Sequence, residues 1–117
     1  MLRLAEKYEV INVVDDQTGR PTYAPHLCYV ISKLIETDNY GTYHISNNGY
    51  CSWFEFAKTI FEYCEIDIKV NPISSEEFNA AAIRPAYSVM DISKIENILH
   101  YKLPHWKEGL RAYLDER

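Results

Sequence analysis

Apolar residues recur along this chain in two periods, and the switches between the periods mark its elements. Val10-Ile11-Asn12-Val13-Val14 is a β-branched run of strand length. Its mostly continuous apolar character suits a strand covered on both faces. Upstream, Leu2 and Ala5 stand three apart within residues 1–8, the spacing of a helix end. Downstream, residues 15–21 (DDQTGRP) are dense in turn formers and predict a loop at the strand's carboxyl end. A helix is predicted from about residue 23 to residue 36. Pro25 lies in its first turn, and Leu27, Val30, Ile31, Leu34 and Ile35 mark one apolar stripe. Residues 37–41 then read as a turn and residues 42–46 (TYHIS) as a second strand, which Asn47-Asn48-Gly49 breaks.

The strongest local signal follows. Ser52 and Glu55 form an S-x-x-E capping box, and Trp53, Phe56, Ala57, Ile60, Phe61 and Cys64 fall behind it on one helical face. Residues 66–73 (IDIKVNPI) alternate and predict a third strand ending at Pro72. Ser74-Ser75-Glu76-Glu77 starts another capped turn, and residues 80–88 make an extended loop in which Pro85 biases Arg84 away from helix. Two helices complete the chain. Asp91 caps the first, with Ile92, Ile95 and Leu99 on its face; Pro104 opens the second, with Trp106, Leu110, Tyr113 and Leu114. About three short strands and five helices in alternation define an α/β class. So few strands leave the first without cover on one face, so a larger sheet and a missing N-terminal portion are expected.

Length and composition sharpen this picture. The chain has 117 residues, the size of one domain spanning 1–117, with 47% apolar and 25% charged residues, as in globular proteins. Twelve basic against seventeen acidic residues give a net charge of -5. Lysines and arginines are scattered, which disfavours a nucleic-acid partner, because phosphate binding needs a clustered basic face. No apolar run reaches transmembrane length, and the first ten residues lack the apolar core of a secretory signal, so no membrane partner is expected. Three cysteines without CxxC spacing (Cys28, Cys51 and Cys64) read as reduced thiols, with the cytoplasm as compartment.

Several chemistries find no support. The glycines, Gly19, Gly41, Gly49 and Gly109, lie too far apart for a GxGxxG or phosphate-binding loop, so the chain alone is expected to bind no dinucleotide. His26, His44, His100 and His105 lack metal-ligand spacing. Tyr29 and Lys33 satisfy YxxxK, but ten tyrosines and seven lysines in 117 positions yield roughly 0.6 such pairs by chance. Their place beside the apolar stripe points instead to a boundary tyrosine and a solvated lysine.

Two loops carry more. Residues 15–23 gather carboxylate, amide, hydroxyl and guanidinium groups at the carboxyl end of a predicted parallel strand, where open α/β sheets place ligands. As plain structure, the same segment is a turn plus a helix cap. In residues 84–88 (RPAYS), the Arg84 guanidinium suits bidentate contact with phosphate or carboxylate; the alternative is an ion pair with Glu76 or Glu77. Ten tyrosines against four phenylalanines would suit half-buried walls of a sugar or nucleotide pocket, though boundary packing accounts for most of them.

Four blocks, VVDDQTGRPTYAPHL, GTYHISNNGYCSWFEFAKTIF, RPAYSVMDISKI and PHWKEGLRAYL, taken in order, resemble the C-terminal half of the dTDP-4-dehydrorhamnose reductases. That family belongs to the extended short-chain dehydrogenases, and the similarity runs from about Val13 to Leu114. The resemblance implies an enzyme whose N-terminal Rossmann domain holds NADPH or NADH and the catalytic tyrosine and lysine. Its C-terminal part closes over a dTDP-sugar, and hydride is delivered to C4 of the 4-keto sugar to give dTDP-L-rhamnose. By this resemblance the chain is the substrate-binding portion of an extended Rossmann-type reductase, lacking the dinucleotide-binding domain. The YVISK segment follows the PTY motif and so is not the family's catalytic pair. The carried-over substrate-side positions are Gln17, Gly19, Arg20, Pro21, Thr22, Arg84, Pro85 and Ser88; no catalytic, cofactor or metal residue is assigned. The expected partners are a dTDP-sugar, the missing Rossmann portion and a second copy, as a homodimer or strand-exchanged oligomer. Val10, Val13, Tyr43 and Ile45 are the expected apolar docking face. Such a chain is expected to be inactive alone; the competing reading is a non-catalytic nucleotide-sugar-binding or regulatory module of the same fold.

Overall fold

A computed structural model describes residues 1–117. Six helices and four short strands occur: α1 Leu2–Ala5, β1 Val10–Val14, β2 Thr18–Gly19, α2 Ala24–Leu34, β3 Cys51–Ser52, α3 Trp53–Tyr63, β4 Lys69–Ile73, α4 Ser75–Phe78, α5 Ser93–Leu99 and α6 Trp106–Asp115. The α/β class stands, with one helix and one strand more than the periodicity predicts. No helix is long and apolar enough to cross a membrane. The chain divides into two compact units, Met1–Gly19 with Tyr50–Ser88, and Arg20–Gly49 with Val89–Arg117.

In the first unit β1 and β4 pair in parallel, from Val10 opposite Lys69 to Val14 opposite Ile73. Helix α3, which precedes β4, packs on both strands. Its capping box starts it: Ser52 Oγ accepts from the Glu55 amide at 3.0 Å, and the Ser52 amide donates to Glu55 Oε2 at 2.8 Å. The core of this unit takes Ile11, Val13 and Val14 from β1 and Ala57, Ile60 and Phe61 from α3. The face of β1 that carries Ile11 and Val13 is covered throughout, and the other face only at Val14. Val10 and Asn12 point outward, Asn12 accepting from the Asn71 amide at 3.2 Å, so the polar residue within the apolar run marks the open side.

The second unit has helices and no ladder. Val30, Ile92, Ile95 and Leu103 form its buried cluster, with Leu34, Tyr43, Ile45, Leu99 and Tyr101 packed around it. Residues 42–46, expected as a strand, pair with nothing. Their alternation comes from Tyr43 and Ile45 dipping into this cluster, and the backbone has no neighbouring strand to bond. The stripe on α2 is narrower than expected: Val30 is fully buried, whereas Ile31 and Ile35 are exposed, Ile35 by 75%. Two cap assignments shift. Asp91 does accept from the Ser93 amide at 2.8 Å, one residue before the helix's formal cap, Ile92. The last helix is opened by His105 rather than Pro104, through a box in which Nδ1 accepts from the Lys107 amide and Glu108 accepts from the His105 amide.

Candidate functional site

The loop leaving β1 is pinned residue by residue. The Asp15 carboxylate accepts from the Ser52 hydroxyl, and the Asp16 carboxylate accepts from both the hydroxyl and the amide of Ser75. Those Ser75 bonds, side-chain first, hold the Asp16 carboxyl below its ordinary range. Gln17 donates its amide Nε2 to Ser75 Oγ at 2.8 Å. Thr18 and Gly19 then pair antiparallel with Ser52 and Cys51.

The second candidate loop joins this first one through the backbone. The Thr18 amide donates to the Ala86 carbonyl at 2.8 Å, and the Ser88 amide donates to the Thr18 carbonyl at 2.9 Å. Ser88 Oγ adds a donation to the same carbonyl at 3.2 Å. A Cβ on Gly19 would stand 3.1 Å from Ser88 Oγ, so glycine is what permits this closeness. Of the predicted positions in this unit, Gln17, Gly19 and Ser88 are therefore brought together. Arg84 and Pro85 lie exposed in the outer part of the second loop. Arg84 forms no ion pair with Glu76 or Glu77. Glu77 is instead bound to the amide and hydroxyl of Ser74, and those bonds hold its carboxyl low. The ion-pair alternative for Arg84 falls, and its guanidinium remains open to a ligand.

Arg20, Pro21 and Thr22 belong to the second unit. Thr22 Oγ1 donates to the Arg20 carbonyl at 3.2 Å and accepts from the Asn47 backbone amide at 3.3 Å, which ties its loop to the segment before Asn48 within the second unit. Nε and Nη1 of Arg20 are shielded from water and have no hydrogen-bond partner. The Asp91 carboxyl is held low mainly by the Ser93 backbone and hydroxyl, with the Arg20 and His44 charges adding to this.

Sequence reasoning missed Asn47, read only as a strand breaker. Its side chain is buried and fully employed: Oδ1 accepts from the Tyr23 amide at 2.9 Å, and Nδ2 donates to the Pro104 carbonyl at 2.8 Å. The same nitrogen meets His26 Nδ1 at 2.8 Å, so that ring nitrogen accepts and the histidine proton sits on Nε2. Asn48 was missed likewise; it donates to Glu96 Oε1 and to the Leu103 carbonyl. No motif marks either residue. A polar pair directly after an alternating apolar stretch is the only signal the sequence offers.

The YxxxK pair does other work. The Tyr29 ring lies 5.1 Å from that of Tyr101, and Lys33 pairs with Glu36 at 3.2 Å beside an open groove of about 550 Å³. No group of three histidine, cysteine or acidic side chains is arranged to hold a metal ion. The residues present do not fit a dinucleotide pyrophosphate either. Gly19 is the one glycine beside the carboxyl end of β1, and Ser88 already occupies the space next to it.

An α/β module with two candidate loops joined at the carboxyl end of a parallel strand pair is the class that fold and site define. The chain belongs to the RmlD substrate binding domain family, whose sequence model matches residues 1–117. It is 42% identical over 117 residues to the spore coat polysaccharide biosynthesis protein SpsK of Bacillus subtilis, covering all of this chain and 41% of that protein. It is 38% identical over 122 residues to a dTDP-4-dehydrorhamnose reductase of Sinorhizobium fredii, covering 95% of this chain and again 41% of the relative. Among solved structures, a Bacillus anthracis dTDP-4-dehydrorhamnose reductase in complex with NADP superposes with a TM-score of 0.94 at 48% identity, over 99% of this chain and 41% of that one. The chain thus spans about two-fifths of the length of the relatives it matches and corresponds to their C-terminal part.

Proposed function

We propose that this chain is the dTDP-sugar-binding portion of a dTDP-4-dehydrorhamnose reductase acting in dTDP-L-rhamnose biosynthesis in the cytoplasm. One observation carries the reading: the backbone bonds of Thr18 to Ala86 and Ser88 unite both candidate loops at the carboxyl end of β1, where α/β sheets hold ligands. Arg84 offers a planar fork of donors to a pyrophosphate. Gln17 keeps its carbonyl oxygen for a sugar hydroxyl, since its Nε2 is held by Ser75. Within the first unit, Gly19 and Pro85 shape the loops and Ser88 fixes them; within the second, Pro21 shapes its own loop, Thr22 fixes it, and the unpartnered Arg20 guanidinium offers positive charge to a ligand. Residues 1–117 act as one substrate-binding domain of a two-part enzyme.

Hydride transfer to C4 of a 4-keto sugar needs a nicotinamide, and this chain's glycines build no cradle for one. The chain alone is therefore inactive. The direct test mixes the purified chain with NADPH and the dTDP-4-keto-6-deoxy sugar and follows cofactor absorbance. No oxidation is expected, and measurable turnover removes the claim of catalytic incompleteness. Titration with dTDP-rhamnose is expected to show weak binding, because a pocket missing a wall buries little of its ligand. The same lack of a glycine cradle also favours a second reading, a non-catalytic binding or regulatory module. An in-frame upstream segment encoding GxxGxxG and YxxxK supports the reductase reading, and a genuine start codon at Met1 supports the module.

A further inference from the structure

We propose that Tyr50 and Tyr87 form an aromatic clip that stacks on the planar base of a nucleoside-diphosphate sugar, an inference that rests on the substrate-side reading of residues 84–88. Both rings are open to solvent, Tyr50 by 60% and Tyr87 by 63%. They meet edge to face, with centroids 6.4 Å apart and planes at 67°. Neither hydroxyl has a hydrogen-bond partner in the chain, so nothing polar explains their placement.

What holds them is backbone. Tyr87 bridges in parallel to Thr18, and Tyr50 directly precedes Cys51, which pairs with Gly19. The two tyrosines are therefore carried on segments that bond to β2 through neighbouring residues, Thr18 and Gly19. Their separation is set by hydrogen-bond register rather than by flexible side chains. Fixing rings in advance lowers the ordering cost of binding.

The surrounding chemistry selects the ligand. Arg84 lies three residues before Tyr87 and has no ion pair. Ser88 follows Tyr87, and Gln17 precedes its bridge partner Thr18. An exposed π-face, a free guanidinium and short polar side chains match, in turn, a base, a pyrophosphate and a sugar. Aromatic stacking accepts any base, so the clip supplies affinity while neighbouring polar groups supply choice.

The test titrates the 117-residue chain by nuclear magnetic resonance, which reads weak affinities, with dTDP-rhamnose and with inorganic pyrophosphate as a ringless probe. Tyr87→Ala and Tyr50→Ala are each expected to weaken dTDP-rhamnose about tenfold, the loss of one stacking contact. Tyr87→Phe, which keeps the ring, is expected to bind as the wild type does. Pyrophosphate affinity is expected to stay unchanged in all three variants and to fall in Arg84→Ala. Amide-shift dispersion checks that each variant is folded. Unchanged dTDP-rhamnose affinity in both alanine variants, with Arg84→Ala still weakened, overturns the clip and leaves the substrate-side reading standing. Equal losses for pyrophosphate and dTDP-rhamnose in the tyrosine variants overturn the clip as well. Loss of self-association without loss of nucleotide affinity assigns the pair to a protein contact and also overturns it. A wild-type chain that binds neither probe overturns the substrate-side reading, and the clip with it.

Discussion

Asn47 shows how much one buried amide can organise. Its three side-chain partners, the Tyr23 amide, the Pro104 carbonyl and His26 Nδ1, sit on two stretches of the second unit, the start of α2 and the turn before α6. Asn47→Ala leaves the part-buried Tyr23 amide and His26 Nδ1 without this partner, each at about 1–3 kcal/mol, whereas the Pro104 carbonyl keeps the Asn48 amide. A total loss near 3 kcal/mol is expected in urea unfolding, large beside the stability of a small domain. Glu96 is the charged counterpart. Burial on its own pushes its carboxyl up, but the Lys102 ammonium, the Leu103 amide and the Asn48 amide together hold it below its ordinary value of 4.5. Asp16, Glu77 and Asp91 are also held low, by hydrogen bonds from Ser75, Ser74 and Ser93 respectively. The sign follows from linkage: a carboxyl lowered in the folded state contributes stability above its unfolded value and loses it as pH falls through the folded one. Melting temperature is therefore expected to hold steady above about pH 5 and to fall on acidification through about pH 4 and below. Glu96→Gln is expected to lower the plateau and shallow that fall; a parallel curve shifted down at every pH refutes the role of Glu96 ionisation.

At the scale of elements, side-chain patterns were legible and backbone partnerships were not. The Ser52–Glu55 and Ser74–Glu77 caps could be read because each is a local pattern four residues long. Ser52→Ala removes the cap of α3 and the hydroxyl that donates to Asp15. A loss of about 1–2 kcal/mol is expected in thermal unfolding. The cap of α6 escaped reading because imidazole is not a usual capping group, although Glu108 stood at the right spacing. Residues 42–46 misled for the opposite reason: an alternating pattern reports burial, and only a neighbouring strand turns burial into a ladder. The candidate site divides in the same way. Residues 15–23 and 84–88 were found as loops from their composition. Their union through Thr18 joins segments 70 positions apart by backbone bonds and leaves no pattern in the side chains. Gly19 offers the test of that union. Gly19→Ala sets a methyl 3.1 Å from Ser88 Oγ and is expected to cost stability and dTDP-rhamnose affinity, whereas Ser88→Gly in the same chain returns most of the loss. Additive effects in this double-mutant cycle count against the packing of the two loops.

For the whole molecule, the informative quantity is apolar surface without cover. Of the face expected to dock a partner, Val13 is buried in the first unit, and Tyr43 and Ile45 pack in the second unit's core. Only Val10 is exposed, at the start of the face of β1 that is covered only at Val14. The first unit instead exposes Tyr8, Trp53, Phe78 and Ile83, the last of them completely. Exposed apolar groups of this size mark interaction surfaces or drive association. The chain is therefore expected to self-associate at high concentration, and a sharp monomer in sedimentation at high loading refutes this. A chimera separates association from function. The N-terminal three-fifths of the Bacillus anthracis dTDP-4-dehydrorhamnose reductase solved in complex with NADP, fused ahead of Met1, supplies the length of that relative which this chain does not span. If the exposed side chains belong to a contact with that portion, the chimera is monodisperse at concentrations where the chain alone associates, and it oxidises NADPH with the 4-keto sugar where the chain alone does not. Replacing Trp53 and Ile83 together by serine should then return self-association to the chimera and lower its turnover. A chimera that associates as strongly as the chain alone refutes this use of the exposed surface even if it turns over, because turnover does not report whether these particular side chains are covered.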